Sequence, residues 1–341
     1  MSGKTGIEWT DATWNPIRGC SRVSEGCRNC YAESVAYRFS GPGLPYEGLV
    51  QLAMVAGKDD VRSKRLPLWN GKIKFVEEHL LDPLKWKRPR RIFVNSMSDL
   101  FHENVTDEML DRIFAVMALS PQHTFQVLTK RPERMRAYLS SDETLGRILR
   151  CTAADLGGLN GCSATVEDCA DGMAGLQLPN VWLGVSVENQ KAADERIPLL
   201  LQTPAAVRFI SAEPLLGTID LDSIRPYSDH SAMVRSVLTG KWSDGPDSGQ
   251  ISSKLDWVIC GGESGTGARP MHPDWARGLR DQCVAAGVPF FFMQAAMHGR
   301  RGHSPLAYMT GSGVDMIRVG KKAAGHLLDG AEWHQFPAVR A

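Results

Sequence analysis

The sequence predicts an α/β fold, a partial or complete (β/α) barrel with long loop insertions, and three observations carry that expectation. Short apolar runs rich in β-branched and aromatic residues recur along the chain, as suits strands buried on both faces of a parallel sheet. Segments with apolar residues at helical spacing lie between many of them, the alternation of βα units with right-handed crossovers. Each run also ends in polar or charged residues, and in a parallel barrel such ends line the mouth where sites are built.

The first strand is expected near "GIEWT", within "GIEWTDATWNP" from Gly6. The others are "RIFVNSMSD" (91–99), "FQVLTKRPE" (125–133), "VWLGVSVEN" (181–189), "VRFISAEPL" (207–215), "LDWVICGGES" (255–264) and "PFFFMQ" (289–294). That makes about seven strands, close to a barrel's complement. "DEMLDRIFAVMALS" (107–120) reads as a helix with Thr106 as N-cap and acids just after it. "ADERIPLLLQT" (193–203) and "DWARGLRDQCVAAG" (274–287) read likewise, the latter closing on Gly287. Residues 40–75 read as irregular. Residues 139–179, rich in Gly, Ala and Asp, and 222–254, rich in Ser, Gly and Asp, read as insertions on a single domain spanning 1–341.

Apolar residues make up 43% and charged residues 23%, which places the chain among globular proteins rather than disordered ones. No apolar run reaches the roughly 18 residues that span a bilayer. The N-terminus lacks the basic-then-apolar pattern of a signal peptide, so a cytoplasmic protein with no membrane partner is expected. A net charge of +1 does not announce a nucleic-acid partner. Locally, "KWKRPRR" (85–91) and "HGRRGH" (298–303) form basic patches of the kind that hold phosphates, the first around a tryptophan. A solvated helix end leading into a strand is the alternative reading of the first patch, on equal terms.

Eight cysteines in such a chain point to metal binding, reactivity or burial rather than a disulfide framework. Cys20, Cys27 and Cys30 fall within eleven residues of "GCSRVSEGCRNCYAES". A structural zinc site or a full iron–sulfur ligand set uses four protein ligands. Either a fourth ligand comes from elsewhere, with His102 a candidate, or one metal position is left open. Three thiolates can hold three corners of a [4Fe–4S] cube and leave one iron free. A second trio, Cys151, Cys162 and Cys169, admits an auxiliary cluster or zinc site, but loop thiols are the simpler reading. Cys260 and Cys283 read as buried small residues.

A three-cysteine loop after the first strand of a partial (β/α) barrel resembles the radical S-adenosylmethionine (SAM) enzymes. Along the chain, "TGIEWTDATWNP", "GCSRVSEGCRNCYAE", "VNSMSDLFHE", "VLTKRPERM", "VWLGVSVENQ", "RFISAEPLLG", "DWVICGGESG", "ARPMHPDW" and "VGKKAAGHLLDG" resemble the phage Gp37/Gp68-type proteins, a radical-SAM-like family. The resemblance touches most of residues 5–337. Departures are the CX6CX2C spacing in place of CX3CX2C, and Asn29 rather than an aromatic residue before the third cysteine. A third is "MQAAMHG" from Met293, where relatives often carry Lys-Gln-Trp-Gly.

The resemblance implies a barrel of the radical SAM type, with Cys20, Cys27 and Cys30 as ligands of a [4Fe–4S] cluster and SAM on the open iron. It makes Asn95, Ser96 and Asp99 candidates for the SAM amino group, Lys130 for its carboxylate, and Ser186, Glu188 and Asn189 for the ribose. Glu213 would reach ribose or substrate. His102, Arg131, Gly261, Gly262, Glu263, Arg269 and Gln294 are the substrate candidates. An external electron donor such as flavodoxin or ferredoxin is implied as a partner. A phage setting favours nucleic-acid chemistry: an isomerase or related radical enzyme acting on a modified thymidine in phage DNA, its base flipped out or single-stranded. A repair lyase, a peptide-modifying enzyme and a non-catalytic zinc-binding DNA module are the alternatives.

Overall fold

The computed structural model describes residues 5–55, 64–155, 176–225, 235–241, 253–264, 268–294 and 325–338. Cys162, Cys169 and the "HGRRGH" patch lie outside them. The fold is mixed α/β, and the chain divides into two compact units, residues 1–181 and 182–341.

In the first unit the chain runs through β1 (Ala12–Trp14), β2 (Ile17–Arg18) and α1 (Tyr31–Arg38). It continues through β3 (Val50–Val55), β4 (Lys64–Trp69), β5 (Lys74–Phe75) and two short helices, α2 (Glu77–Leu80) and α3 (Asp82–Lys85). Then come β6 (Arg91–Val94), α4 (Asp107–Ala118), β7 (Thr124–Thr129), α5 (Pro132–Leu139) and α6 (Asp142–Asp155). Strand β6 pairs in parallel with β1 on one side and β7 on the other, in register Ala12↔Ile92 and Ile92↔Phe125. Ile92, Val94, Phe125 and Val127 are buried, as a parallel sheet covered on both faces requires.

The second unit begins within β8 (Val181–Ser186) and continues through α7 (Gln190–Leu201), β9 (Val207–Ala212), β10 (Trp257–Cys260), α8 (Pro273–Ala286) and β11 (Phe290–Phe292). It ends in the small hairpin β12 (Leu327–Leu328) and β13 (Ala331–Glu332). Strands β8, β9, β10 and β11 pair in parallel in that order. In both units spatial order follows chain order, the strand sequence of a partial (β/α) barrel. Beyond the hairpin, the chain adds to the free edge of β11: Phe292 N–H donates to Trp333 O at 2.7 Å and Gln335 N–H to Phe290 O at 3.2 Å. An open edge is thereby covered.

Three expectations need correction. The first strand forms at Ala12–Trp14 rather than at "GIEWT", where the chain turns instead. Residues 40–75 are not irregular throughout: β3 and β4 form an antiparallel hairpin, Val50↔Trp69 to Val55↔Lys64. Its β-branched and aromatic content was hidden by lysines, arginines and Pro67 between the apolar residues. The stretch 139–179 opens with a true helix, α6, which packs on α4.

The helix signals hold locally. Thr106 Oγ1 accepts from Met109 N–H at 3.3 Å, capping α4. Gly287, at φ 66°, closes α8 in the left-handed conformation that side chains disfavour.

Candidate functional site

The cysteine loop leaves β2 through Gly19, whose φ of +95° suits glycine. A Cβ there would stand 2.2 Å from Lys72 O, so backbone excludes every side chain. Gly19 pairs in a parallel bridge with Ser98 beyond β6, and Cys20 O accepts from Gly71 N–H at 3.1 Å. The loop therefore starts at a fixed point beside the C-terminal end of β6.

Its next two residues are clamped. Ser21 Oγ donates to Glu103 at 3.0 Å, accepts from Arg131 Nη2 at 2.7 Å and lies 2.9 Å from His102 Nε2. His102 Nδ1 accepts from Asn104 N–H at 3.1 Å, so the ring's proton sits on Nε2 and is donated to Ser21. Arg22 forms a two-point pair with Glu33 of α1, at 2.9 and 2.5 Å, and Glu33 also accepts from Trp69 N–H of β4 at 3.1 Å. One turn of 3₁₀ helix, Glu25–Cys27, brings the chain round to Cys30 at the N-terminus of α1. Tyr31 then donates from its hydroxyl to Ser96 O at 2.6 Å, tying the start of α1 back to the end of β6.

Cys20 and Cys30 pack against one apolar cluster, Ala32, Ala36, Leu49, Trp69 and Met97. Burial pushes the Cys20 thiol up to about 12; the Asp99 carboxylate and the other two cysteines add to the rise, and Arg131 opposes it. Burial also raises Cys30, with Glu33 adding, while the backbone N–H groups of Glu33 and Ala32 favour its thiolate. The three thiols thus sense one another, and two guanidiniums, Arg22 and Arg131, sense them in turn. Among the described residues no three His, Cys, Asp or Glu side chains stand close enough together to hold a metal ion. A metal binding there would have to draw the three cysteine side chains together.

Around the loop, the strand ends of the first unit supply a second layer. Asp99 is buried and accepts from Thr129 Oγ1 at 2.7 Å, Phe101 N–H at 3.0 Å, Lys130 N–H at 3.0 Å and Arg131 Nη1 at 3.1 Å. It organises the loop ends after β6 and β7, with no lone pair to spare for a ligand. Arg131 spans Asp99, Glu103 and Ser21, and so joins this hub to the cysteine loop. Ser96 donates to Asn15 Oδ1 at 3.2 Å. Asn95 adopts φ 60°, which asparagine tolerates, and is 3% exposed; its Oδ1 accepts from Ile17 N–H, but its Nδ2 has no partner. Lys130 is half-buried, with no side-chain partner among the described residues. An orphaned amide donor and an unpaired ammonium therefore sit at the ends of the neighbouring strands β6 and β7.

In the second unit the candidates are mostly engaged with their own fold. Glu188 is buried in an ion pair with Arg196 of α7 at 2.9 Å, and the same arginine donates to Ser186 O at 2.7 Å. Asn189 caps α7, accepting from Ala192 N–H at 3.0 Å. Glu263 holds Arg269 at 2.6 and 2.9 Å and accepts from its backbone N–H at 2.8 Å. Gln294 exchanges backbone and side-chain hydrogen bonds with Gly262, and its buried Oε1 has no partner. A Cβ on Gly261 would meet Met293 at 3.4 Å and Glu213 at 3.6 Å, ordinary contacts, so the glycine is not forced by crowding. Glu213 is half-buried beside it.

Ser21, Arg22, Glu33 and Asn15 were not singled out from the sequence. Arg22 and Glu33 bracket the cysteines, but an eleven-residue separation matches no local periodicity. The basic segment 85–91 lies at the N-terminal end of β6, away from the strand end where Asn95, Ser96 and Asp99 stand. Arg90 covers the Trp86 ring at 4.9 Å and Arg91 pairs with Asp11 at 3.0 Å, where the chain passes from α3 into β6.

The chain matches the model of a protein family of unknown function, DUF5131, over residues 4–337. It belongs to that family. No curated protein and no solved structure matches this DUF5131 chain. No described helix is long and apolar enough to cross a membrane.

Proposed function

We propose that the protein is a radical SAM enzyme whose Cys20, Cys27 and Cys30 hold a [4Fe–4S] cluster with one open iron. The observation that carries this reading is the cysteine loop itself. It is pinned by Gly19, Ser21, Arg22 and Tyr31 beside the end of β6, and it carries Cys20, Cys27 and Cys30 within eleven residues. His102 is engaged at both ring nitrogens, which argues against it as the fourth ligand of a closed zinc site. Soft thiolates suit iron–sulfur clusters, and an open position suits a cofactor rather than a structural metal.

A cluster held there would supply one-electron reducing power to a bound SAM, with flavodoxin or ferredoxin as the upstream donor. The chain's own residues do the rest. Arg22 and Arg131 offset the negative charge that three thiolates bring together, Asn95 Nδ2 offers a buried donor, and Lys130 offers a cation to a carboxylate. The substrate class in this proposal is a modified thymidine, and the reaction an isomerisation begun by hydrogen abstraction.

Anaerobic purification tests the reading. The protein should hold about four irons and four sulfides per chain, and release 5′-deoxyadenosine from SAM under reductant. Cys27→Ala should abolish both. A colourless protein with one zinc and intact SAM would falsify it.

A further inference from the structure

The hairpin of β3 and β4 closes one of its two edges and leaves the other open. Asn70 N–H donates to Leu49 O at 3.2 Å, whereas Trp69 N–H goes to Glu33 at 3.1 Å and Pro67 has no N–H to give. By the alternation of an antiparallel ladder, Gln51 with Leu68 and Ala53 with Leu66 are then the hydrogen-bonded pairs. The residues between them point their backbone groups outward. On β4 that outer edge is guarded: Trp69 is taken by Glu33, Pro67 cannot donate, and Arg65 carries a charge. On β3 it is not. The N–H and C=O groups of Val50, Leu52 and Met54 face outward with no partner among the described residues, and no charge or proline interrupts them.

The side chains of this edge are in water too. Met54, at 61%, is the most exposed large apolar residue among those described, and Leu52 stands at 46%. Both share the hairpin face of Val50 and Trp69, which pack with Ala32, Ala36, Leu49 and Met97 at the base of the strand. An uncharged open edge is a template for another strand, and a two-stranded hairpin is marginal by itself. The segment "VQLAM" is complementary to itself. Run antiparallel with Leu52 on a two-fold axis, it sets Leu52 opposite the partner's Leu52 and Met54 opposite the partner's Val50, all on one face. These are the residues whose outward N–H and C=O groups are open, so each pair can exchange two hydrogen bonds. Gln51 falls opposite the partner's Ala53, so no charge meets a charge, and a net charge of +1 leaves little repulsion between copies.

We infer that two copies of the chain associate through β3, each adding its open edge to the other to make a four-stranded sheet in the order β4-β3-β3-β4. Met54 of each copy then covers the margin of the apolar cluster against which the other copy's cysteine loop packs through Cys20 and Cys30. The pairing involves five residues a side, so the interface is small and the dimer a weak one. Its formation needs neither cluster nor SAM.

The test is sedimentation equilibrium of the full chain as purified. Monomer should give way to dimer between about 1 and 100 μM, the range that suits a small interface. Leu52→Lys places two like charges opposite each other at the axis and should weaken the dimer by about tenfold or more. Its urea midpoint at low concentration should match the parent, because Leu52 is exposed in the single chain. Leu66→Lys, on the other face of β4, should leave the dimer unchanged, which separates strand pairing from general stickiness. Amide exchange at Val50, Leu52 and Met54 should slow as concentration rises. A monomer at every concentration, a dimer indifferent to Leu52→Lys, or one weakened equally by Leu66→Lys would overturn the inference. A protein that dimerises as described yet holds no iron defeats the radical reading and spares this one.

Discussion

The two units end their parallel strands in the same kind of sequence, polar and charged residues after an apolar run, yet use those residues differently. In the second unit the carboxylates turn inward to their own fold. Glu188 locks to Arg196, Glu263 to Arg269, and Asn189 caps the following helix. In the first unit they reach across to another segment: Glu103 and Arg131 grip Ser21, with Asp99 anchoring Arg131, and so hold the cysteine loop. Among the described residues, the Asn95 Nδ2 and the Lys130 side chain remain without partners at the ends of β6 and β7. A polar strand end is therefore weak evidence of a site on its own. What distinguishes a site is polar atoms left unsatisfied next to reactive ones.

That contrast can be broken at its strongest point first. Glu188→Ala leaves the Arg196 guanidinium buried without its partner and should cost about 3–5 kcal/mol of stability. Urea unfolding measures the loss, and the protein that remains folded should still load iron. Loss of iron at unchanged stability would move Glu188 to the cofactor and undo the comparison. Gly19→Ala comes next: strain at φ +95° and the clash with Lys72 O should cost roughly 1–3 kcal/mol. Unlike Glu188→Ala, it should also reduce iron per folded chain, because it displaces the root of the cysteine loop.

Asn189→Ala removes a helix cap and should cost about 1 kcal/mol, with SAM affinity unchanged by equilibrium dialysis. A loss of SAM affinity would return Asn189 to the ribose. The smallest effect lies at Asp329, whose carboxyl is held down to about 2 by hydrogen bonds from Arg277 and Arg280. A depressed carboxylate contributes its full stability above its unfolded value near 4 and loses it as pH falls through 2. Asp329→Asn, which tolerates the same positive φ, should cost under about 1 kcal/mol at pH 7 because the pair is solvent-screened. The difference in urea midpoint from the parent should vanish by pH 2.

Much of the fold was legible because it is local. Runs such as "VWLGVS" and "WVIC" are buried end to end, and Thr106 and Gly287 close their helices as their side chains dictate. The hairpin of β3 and β4 was not legible, since Lys64, Arg65 and Pro67 interrupt its apolar pattern and only the pairing with Val50–Val55 organises it. The cysteines were visible as a cluster, but their supports were not. Ser21 is held by residues 81, 82 and 110 positions away, a relation that exists only once β6 and β7 are side by side. The same long-range logic consumed Glu188 and Glu263, which looked free in sequence and are paired in the fold.

The central claim is that the cysteine loop carries a cluster with one iron open to SAM. Electron paramagnetic resonance of the reduced, anaerobically purified protein tests it most directly, recorded with and without SAM. The account predicts a [4Fe–4S]⁺ signal that changes on adding SAM and is absent in Cys20→Ala. A cluster signal indifferent to SAM, or no signal from a protein holding zinc, would contradict it.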